Sequence, residues 1–135
     1  MKRDDVLKLM REVYAARVKG DVDLLMKYTT DDMQFRLNAS PEQRPVAFTE
    51  SGADGTRKAL QMLVASFEFL ACDIVDAVVE GERAAIRVKI RARARATGTT
   101  SDTESLDFVE FRDGKLAAYT QFFDTAAVER MMMRG

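Results

Sequence analysis

The segment from Arg83 to Phe111 constrains this chain more than any other. Within it Ile86, Val88, Ile90, Ala92 and Ala94 alternate with Arg87, Lys89, Arg91, Arg93 and Arg95. A period of two places the two sets on opposite faces of one β-strand. Past Gly98-Thr99 a second alternating run sets Thr103, Ser105, Asp107, Val109 and Phe111 against Asp102, Glu104, Leu106, Phe108 and Glu110. A two-residue loop at Gly98-Thr99 predicts a hairpin with Arg95 opposite Asp102, Arg93 opposite Glu104 and Arg87 opposite Glu110. Arg91 then faces Leu106 and Lys89 faces Phe108, with aliphatic stems over apolar neighbours. The other face pairs Ala94 with Thr103, Ala92 with Ser105, Ile90 with Asp107, Val88 with Val109 and Ile86 with Phe111. Its lower part reads as core. Its upper part is small and weakly polar, so that a covering helix leaves space there. Asp107 sits at the boundary, where a carboxyl either finds partners or has its pKa raised.

Acids interspersed among the arginines argue against a phosphate-binding face, and the whole chain carries 21 basic against 22 acidic side chains for a net charge of -1. No nucleic-acid partner is expected. In the opening MKRDDVLKLMREVY, charged residues interrupt every apolar run, so neither a signal peptide nor a membrane span can be drawn, and the chain reads as cytoplasmic with no membrane partner. A single cysteine, Cys72, and the absence of histidine leave no basis for an internal disulfide, a zinc site or a Ser-His-Asp triad; no cofactor and no metal are expected. Acid–base chemistry would have to use carboxylates, tyrosines or lysines.

The length of 135 residues suits one domain, 1–135. Val6, Leu9, Met10, Val13 and Tyr14 recur at helical spacing, Gly20 stops that helix, and Asp21 caps a second one through Leu24, Leu25 and Tyr28. Met33, Phe35 and Leu37 alternate with polar neighbours as a short strand, followed by a loop and a second short strand at Val46 to Thr49. Glu42, Gln43 and Arg44 in that loop are placed to rim a pocket mouth. Gly52 and Gly55 bracket a break, Thr56 caps a third helix, and four antiparallel strands follow at about 69–79, 83–96, 101–112 and 115–123. Which of Asp73 and Asp76 points inward depends on the turn near Gly81. The predicted class is α+β, with helices packed on one curved antiparallel sheet.

The order of elements, with GDVDLLMKYTTDDMQF, GTRKAL, VEGERAAIRV and LDFVEFRDGKLAAYTQFFDT, resembles the nuclear transport factor 2-like superfamily in its SnoaL-like and ketosteroid-isomerase-like branch. The resemblance covers nearly the whole chain. It implies a cone: a strongly curved antiparallel sheet around a pocket, closed by three helices from the N-terminal half, with a short C-terminal helix. It also implies a homodimer through the outer sheet face, where Leu106, Phe108 and Phe122 would gather. Aligned on LDFVEF, Asp107 takes the position of the protonated aspartic acid in the isomerase oxyanion hole. The isomerase general base corresponds to Leu37, and the helix-1 tyrosine to Val13, with Tyr14 next to it. The cyclase's acid–base His and Asp fall on Tyr119 and Gln121. Asp124 resembles the aspartate that begins the final helix, here Thr125 to Met133.

A tight Asp113-Gly114 turn points Ala118, Thr120 and Phe122 inward, whereas the resemblance points Tyr119, Gln121 and Phe123 inward. A β-bulge after Leu116 reconciles the two. The chain is therefore expected to hold a small hydrophobic molecule. In one reading it is an acid–base enzyme of isomerase, cyclase or dehydratase type acting on a compact apolar carbonyl or enol compound. Asp107 and Tyr14 are the catalytic candidates, and Phe35, Leu37, Ala92, Ser105, Tyr119, Gln121 and Phe123 line the ligand site. In the other it is a non-catalytic ligand-binding or dimeric interaction module in which Asp107 is a satisfied buried acid.

Overall fold

A computed structural model describes residues 1–40, 42 and 47–133. The elements are α1 (Arg3–Lys19), α2 (Val22–Lys27), β1 (Thr29–Asn38), β2 (Phe48–Ser51), α3 (Gly52–Ser66), β3 (Phe67–Glu80), β4 (Arg83–Ala94), β5 (Thr100–Arg112), β6 (Lys115–Phe123) and α4 (Thr125–Met132). Val46, Gln43 and Arg44 of the expected strand and rim lie outside the described residues. In α1 the residues Val6, Met10, Val13 and Arg17 recur along one helical face and all are buried, the stripe that a 3.6-residue period presents to a sheet. Gly20 closes the helix in the left-handed region at φ 70°, a conformation in which a Cβ is unfavourable. Asp21 then accepts a hydrogen bond from the Leu24 amide at 3.0 Å and starts α2.

The third helix differs from expectation at its start. It begins at Gly52, with Gly55 inside its first turn, so the expected break does not occur. A Cβ at Gly55 would come within 2.9 Å only of Oε2 of Glu50, the far end of an exposed and flexible side chain, so packing does not require glycine there. Thr56 does not cap; its hydroxyl is buried inside α3 and is without a hydrogen-bond partner among the described residues.

Six strands form one curved sheet in the order β2-β1-β6-β5-β4-β3. It is mixed rather than wholly antiparallel: β1 and β6 run parallel, and every other neighbouring pair is antiparallel. The parallel pair arises because α3 and four strands separate the two in sequence, so β6 returns in the same direction as β1.

The β4–β5 alternation places its faces as expected, but the pairing is shifted by four. Arg91 faces Asp102, Arg87 faces Leu106, Lys89 faces Glu104 and Ile86 faces Asp107. The turn is longer than two residues. Gly98 donates to the Ala94 carbonyl at 2.8 Å, and the Arg95 amide leaves the ladder for the Ser66 carbonyl at 2.9 Å. Because the shift is even, each side chain keeps its face while its partner changes. Arg87 still meets an acid, donating diagonally to Glu104 through Nε at 3.0 Å and Nη2 at 2.9 Å. Arg93 pairs with Glu68 instead.

Irregularities bend the sheet. The register of β5–β6 shifts between Phe111↔Leu116 and Glu110↔Ala118, which places the bulge after Leu116 as the sequence conflict required. Two further shifts in β3 leave both Asp73 and Asp76 exposed, so neither points inward. At the end of β6, Asp124 accepts from the Ala127 amide at 2.9 Å and starts α4. Thr97 donates to the Met131 carbonyl at 2.6 Å, which fixes the far end of that helix to the β4–β5 loop.

Because α4 stands on one side-chain cap, Asp124→Ala is expected to lower the unfolding free energy by about 1 kcal/mol, while Asp124→Asn keeps most of it. Urea denaturation of the three proteins checks this.

Candidate active site

The helices cover a cavity of about 120 Å³ on the concave face of the sheet, within the size range that admits a benzene-like molecule. Its wall is mainly apolar. Met33, Phe35 and Leu37 reach it from β1, Ile90 and Ala92 from β4, Phe123 from β6, and Val128 and Met131 from α4. Phe35 sets its ring edge-on to Tyr119, with centroids 5.6 Å apart at 80°, a favoured aromatic geometry.

Polar groups gather at one place on this wall. Tyr119 and Gln121 face inward on β6 because of the bulge, and Gln121 lies directly across from Asp107. Tyr14, on α1, donates to Asp107 Oδ2 at 2.7 Å, and Tyr119 donates to the same oxygen. The other oxygen, Oδ1, accepts from Gln121 Nε2 at 3.1 Å and from Ser105 Oγ at 3.2 Å. Four donors from three elements thus converge on one carboxyl group, which is 0% exposed.

Burial is the largest influence on Asp107 and raises its pKa; the bonds from Tyr119, Tyr14, Gln121 and Ser105 oppose that rise without cancelling it. Burial and the neighbouring carboxyl also raise both phenols above their ordinary value. Cys72, on the same wall, is pushed up to about 12, first by burial and then by Asp107. A thiol so raised is a poor nucleophile at neutral pH.

Tyr14, Phe35, Leu37, Ala92, Ser105, Tyr119, Gln121 and Phe123 all line the cavity. Asp107 stands behind that wall, enclosed by the polar groups that bond to it. Several lining residues escaped the sequence reading, Arg17, Cys72 and Phe69 among them. Arg17 follows Tyr14 by three residues and lies on the buried stripe of α1, a spacing that was visible. Cys72 and Phe69 belong to β3, whose bulges break the alternation that would have assigned them. Among the described residues no group of three or more His, Cys, Asp or Glu side chains is placed to hold a metal, and no helix is long and apolar enough to cross a membrane.

A family model described as the SnoaL-like domain matches residues 10–119. Among solved structures the chain is similar to a provisionally assigned isomerase from Bacillus subtilis, at 12% identity over 95% of this chain and 92% of that one, with a TM-score of 0.85. It is similar also to a protein with a ketosteroid isomerase-like fold from Catenulispora acidiphila, in complex with trimethylamine, at 11% identity over 91% and 90% with a TM-score of 0.77. A third, TerC co-crystallised with polyporic acid, shares 17% identity over 94% and 97% with a TM-score of 0.78. At these identities the likeness is one of fold. No curated protein matches the chain in sequence.

The raised pKa of Asp107 carries a sign. The folded state holds this proton more tightly than the unfolded one, so its contribution to stability is complete below the unfolded carboxyl pKa of about 4 and declines as pH rises through the folded value. The difference in unfolding free energy between the native protein and Asp107→Asn should therefore fall with rising pH from about pH 4 upward. Urea unfolding of both proteins across that range measures it; a difference that stays flat would mean that Asp107 is no harder to ionise in the fold.

Proposed function

The chain belongs to the SnoaL-like domain family, and from that premise we propose a small-molecule enzyme that performs acid–base chemistry on a compact, mainly apolar carbonyl or enol compound. The observation that carries this reading is the meeting of the Tyr14 and Tyr119 hydroxyls on one fully buried oxygen of Asp107 at the edge of an apolar cavity. Asp107 acts through the tyrosines rather than by touching the ligand. With its proton in place, the carboxyl donates to a phenol oxygen, and that phenol turns its own hydrogen into the cavity toward the ligand oxygen. Negative charge developing there meets preoriented donors in a site of low dielectric. Gln121 lines the cavity as well and orients the ligand through its amide.

Among the described residues no carboxylate lines the wall. The chemistry is accordingly driven from the oxygen side: isomerisation, ring closure or loss of water in compounds whose C–H bond is already activated, the proton passing to water or to a basic group of the ligand itself. The structural neighbour crystallised with polyporic acid supports a small organic ligand in this fold.

The outer face supports a homodimer. Leu106 lies across from Phe122, Phe108 lies two pairs further along on the same face, and the three are 43%, 41% and 39% exposed in that order. Side chains of this size left together on a sheet suit a second copy related by a two-fold axis. A protein that dimerised through this face but took no ligand in its cavity would be the interaction module instead.

Binding of 4-nitrophenol, followed by its absorbance, tests the site. Tyr14→Phe and Tyr119→Phe are each expected to weaken it by about 5–10-fold, the worth of one hydrogen bond of about 1 kcal/mol, and Asp107→Leu more than either. Equal affinity across all four proteins would end the enzyme reading.

Phe108→Lys is expected to convert a dimer to a folded monomer in sedimentation equilibrium. A variant that sediments as the native protein does would remove the proposed interface.

A further inference from the structure

Arg17 is the one ionised side chain on the cavity wall among the described residues, and it is 9% exposed. Its guanidinium carbon stands 3.8 Å from the centroid of the Phe69 ring. Nη2 donates to the carbonyls of Phe67 at 2.9 Å and Leu63 at 3.3 Å. These contacts use one nitrogen and one face of the group. Nε and Nη1 make no hydrogen bond to a described residue, and each keeps some accessible surface.

The charge itself is also uncompensated. The groups that act on the guanidinium are the Cys72 thiol, the Tyr119 hydroxyl and the Arg95 cation; no carboxylate is among them. Asp107, the buried acid behind the same wall, is already taken up by four donors. Burial lowers the Arg17 pKa to about 10, which still leaves it charged at neutral pH. A cation held out of water by neutral carbonyls and a ring, with donors to spare, is costly unless something negative joins it.

We infer that the cavity is built for a small organic monoanion, whose carboxylate meets Arg17 while its apolar body fills the space toward Tyr14 and Tyr119. The inference rests on the pocket reading above and narrows its substrate class. A guanidinium matches a carboxylate in shape and hydrogen bonding. One cation on the wall suits one negative charge; a phosphate ester dianion would leave a second charge in an apolar enclosure. Arg17, Tyr14 and Tyr119 line the same cavity, and Arg17 follows Tyr14 by one helical turn on the buried side of α1, which puts the cationic and the phenolic ends within reach of a single compact molecule. The ligand would then carry two oxygen functions, an acid at one end and a carbonyl or enol at the other.

Benzoate and benzamide, nearly equal in shape and different in charge, separate the possibilities in calorimetric titrations at pH 7. The native protein should bind benzoate at least about tenfold more tightly than benzamide, the scale of a charge-assisted hydrogen bond. Arg17→Met, apolar and of similar length, should lose the preference for benzoate over benzamide, whatever its affinity for benzamide. Arg17→Lys should retain part of it. In the native protein, benzoate should also shift the Arg17 Nε–H resonance, a measurement that needs no variant to fold. Benzamide bound as tightly as benzoate, a preference that survives in Arg17→Met, or an Arg17 resonance unmoved by benzoate would each overturn the anion assignment while leaving the pocket reading intact. Failure of both probes to bind would overturn the two together.

Discussion

The carboxyl of Asp107 and its four donors hold this structure to its chemical purpose. Moving an ionised carboxylate out of water costs several kcal/mol even after relaxation. Four hydrogen bonds, worth about 1 kcal/mol each and more where charge assists, are of the same order. Burial prevails, because the pKa of Asp107 lies above its ordinary value. The donors also tie elements together. Tyr14 brings α1 down onto the sheet, Ser105 belongs to β5 itself, and Tyr119 and Gln121 bind β6 to it. A shift of any of these elements would strip a hydrogen bond from a buried acid, so the apolar packing and the polar cluster favour the same arrangement.

The bulge in β6 decides which chemistry that cluster can have. Carried on regularly from Phe111↔Leu116, the ladder would turn Ala118, Thr120 and Phe122 toward the helices. Asp107 would then lose Tyr119 and Gln121, half of its donors. One extra residue at Ala117 restores them and at the same time sends Phe122 outward beside Leu106. A single backbone irregularity therefore supplies both the polar pole of the cavity and the apolar patch on the opposite face, and coupling of this kind is a reason bulges sit close to functional sites.

Much of this was legible in the residues. Strict alternation assigned the faces of β4 and β5 correctly, and with them the inward position of Asp107, even though the pairing was displaced by four. Facing depends only on parity, whereas pairing depends on turn length, and the Gly98 turn is governed by long-range bonds from Arg95 to the end of α3 that no local pattern encodes. The caps at Asp21 and Asp124 were readable because a short acceptor before a helix has one common use. The start of α3 was not, since Gly52 and Gly55 both weaken a helix locally. Parallel pairing of β1 with β6 was hidden for a similar reason: it joins distant segments and leaves no local signature.

The departures from the isomerase and cyclase patterns acquire a common meaning in three dimensions. Leu37, standing where the isomerase resemblance expects a base, pairs directly with Gln121, where the cyclase resemblance expects an acid. Tyr119 pairs with Phe35 one step along the same two strands. The β1–β6 wall has thus exchanged proton-accepting groups for an aliphatic chain, an amide and a phenol. What remains opposite is a buried acid enclosed by hydroxyls and an amide, and an arginine on α1 with donors unused. Under the reading proposed above, such a site would bind oxygen at both ends and abstract little by itself, its selectivity set by the charge and length of the ligand and its rate by how readily that ligand's own C–H bond loses a proton once the oxygen is held.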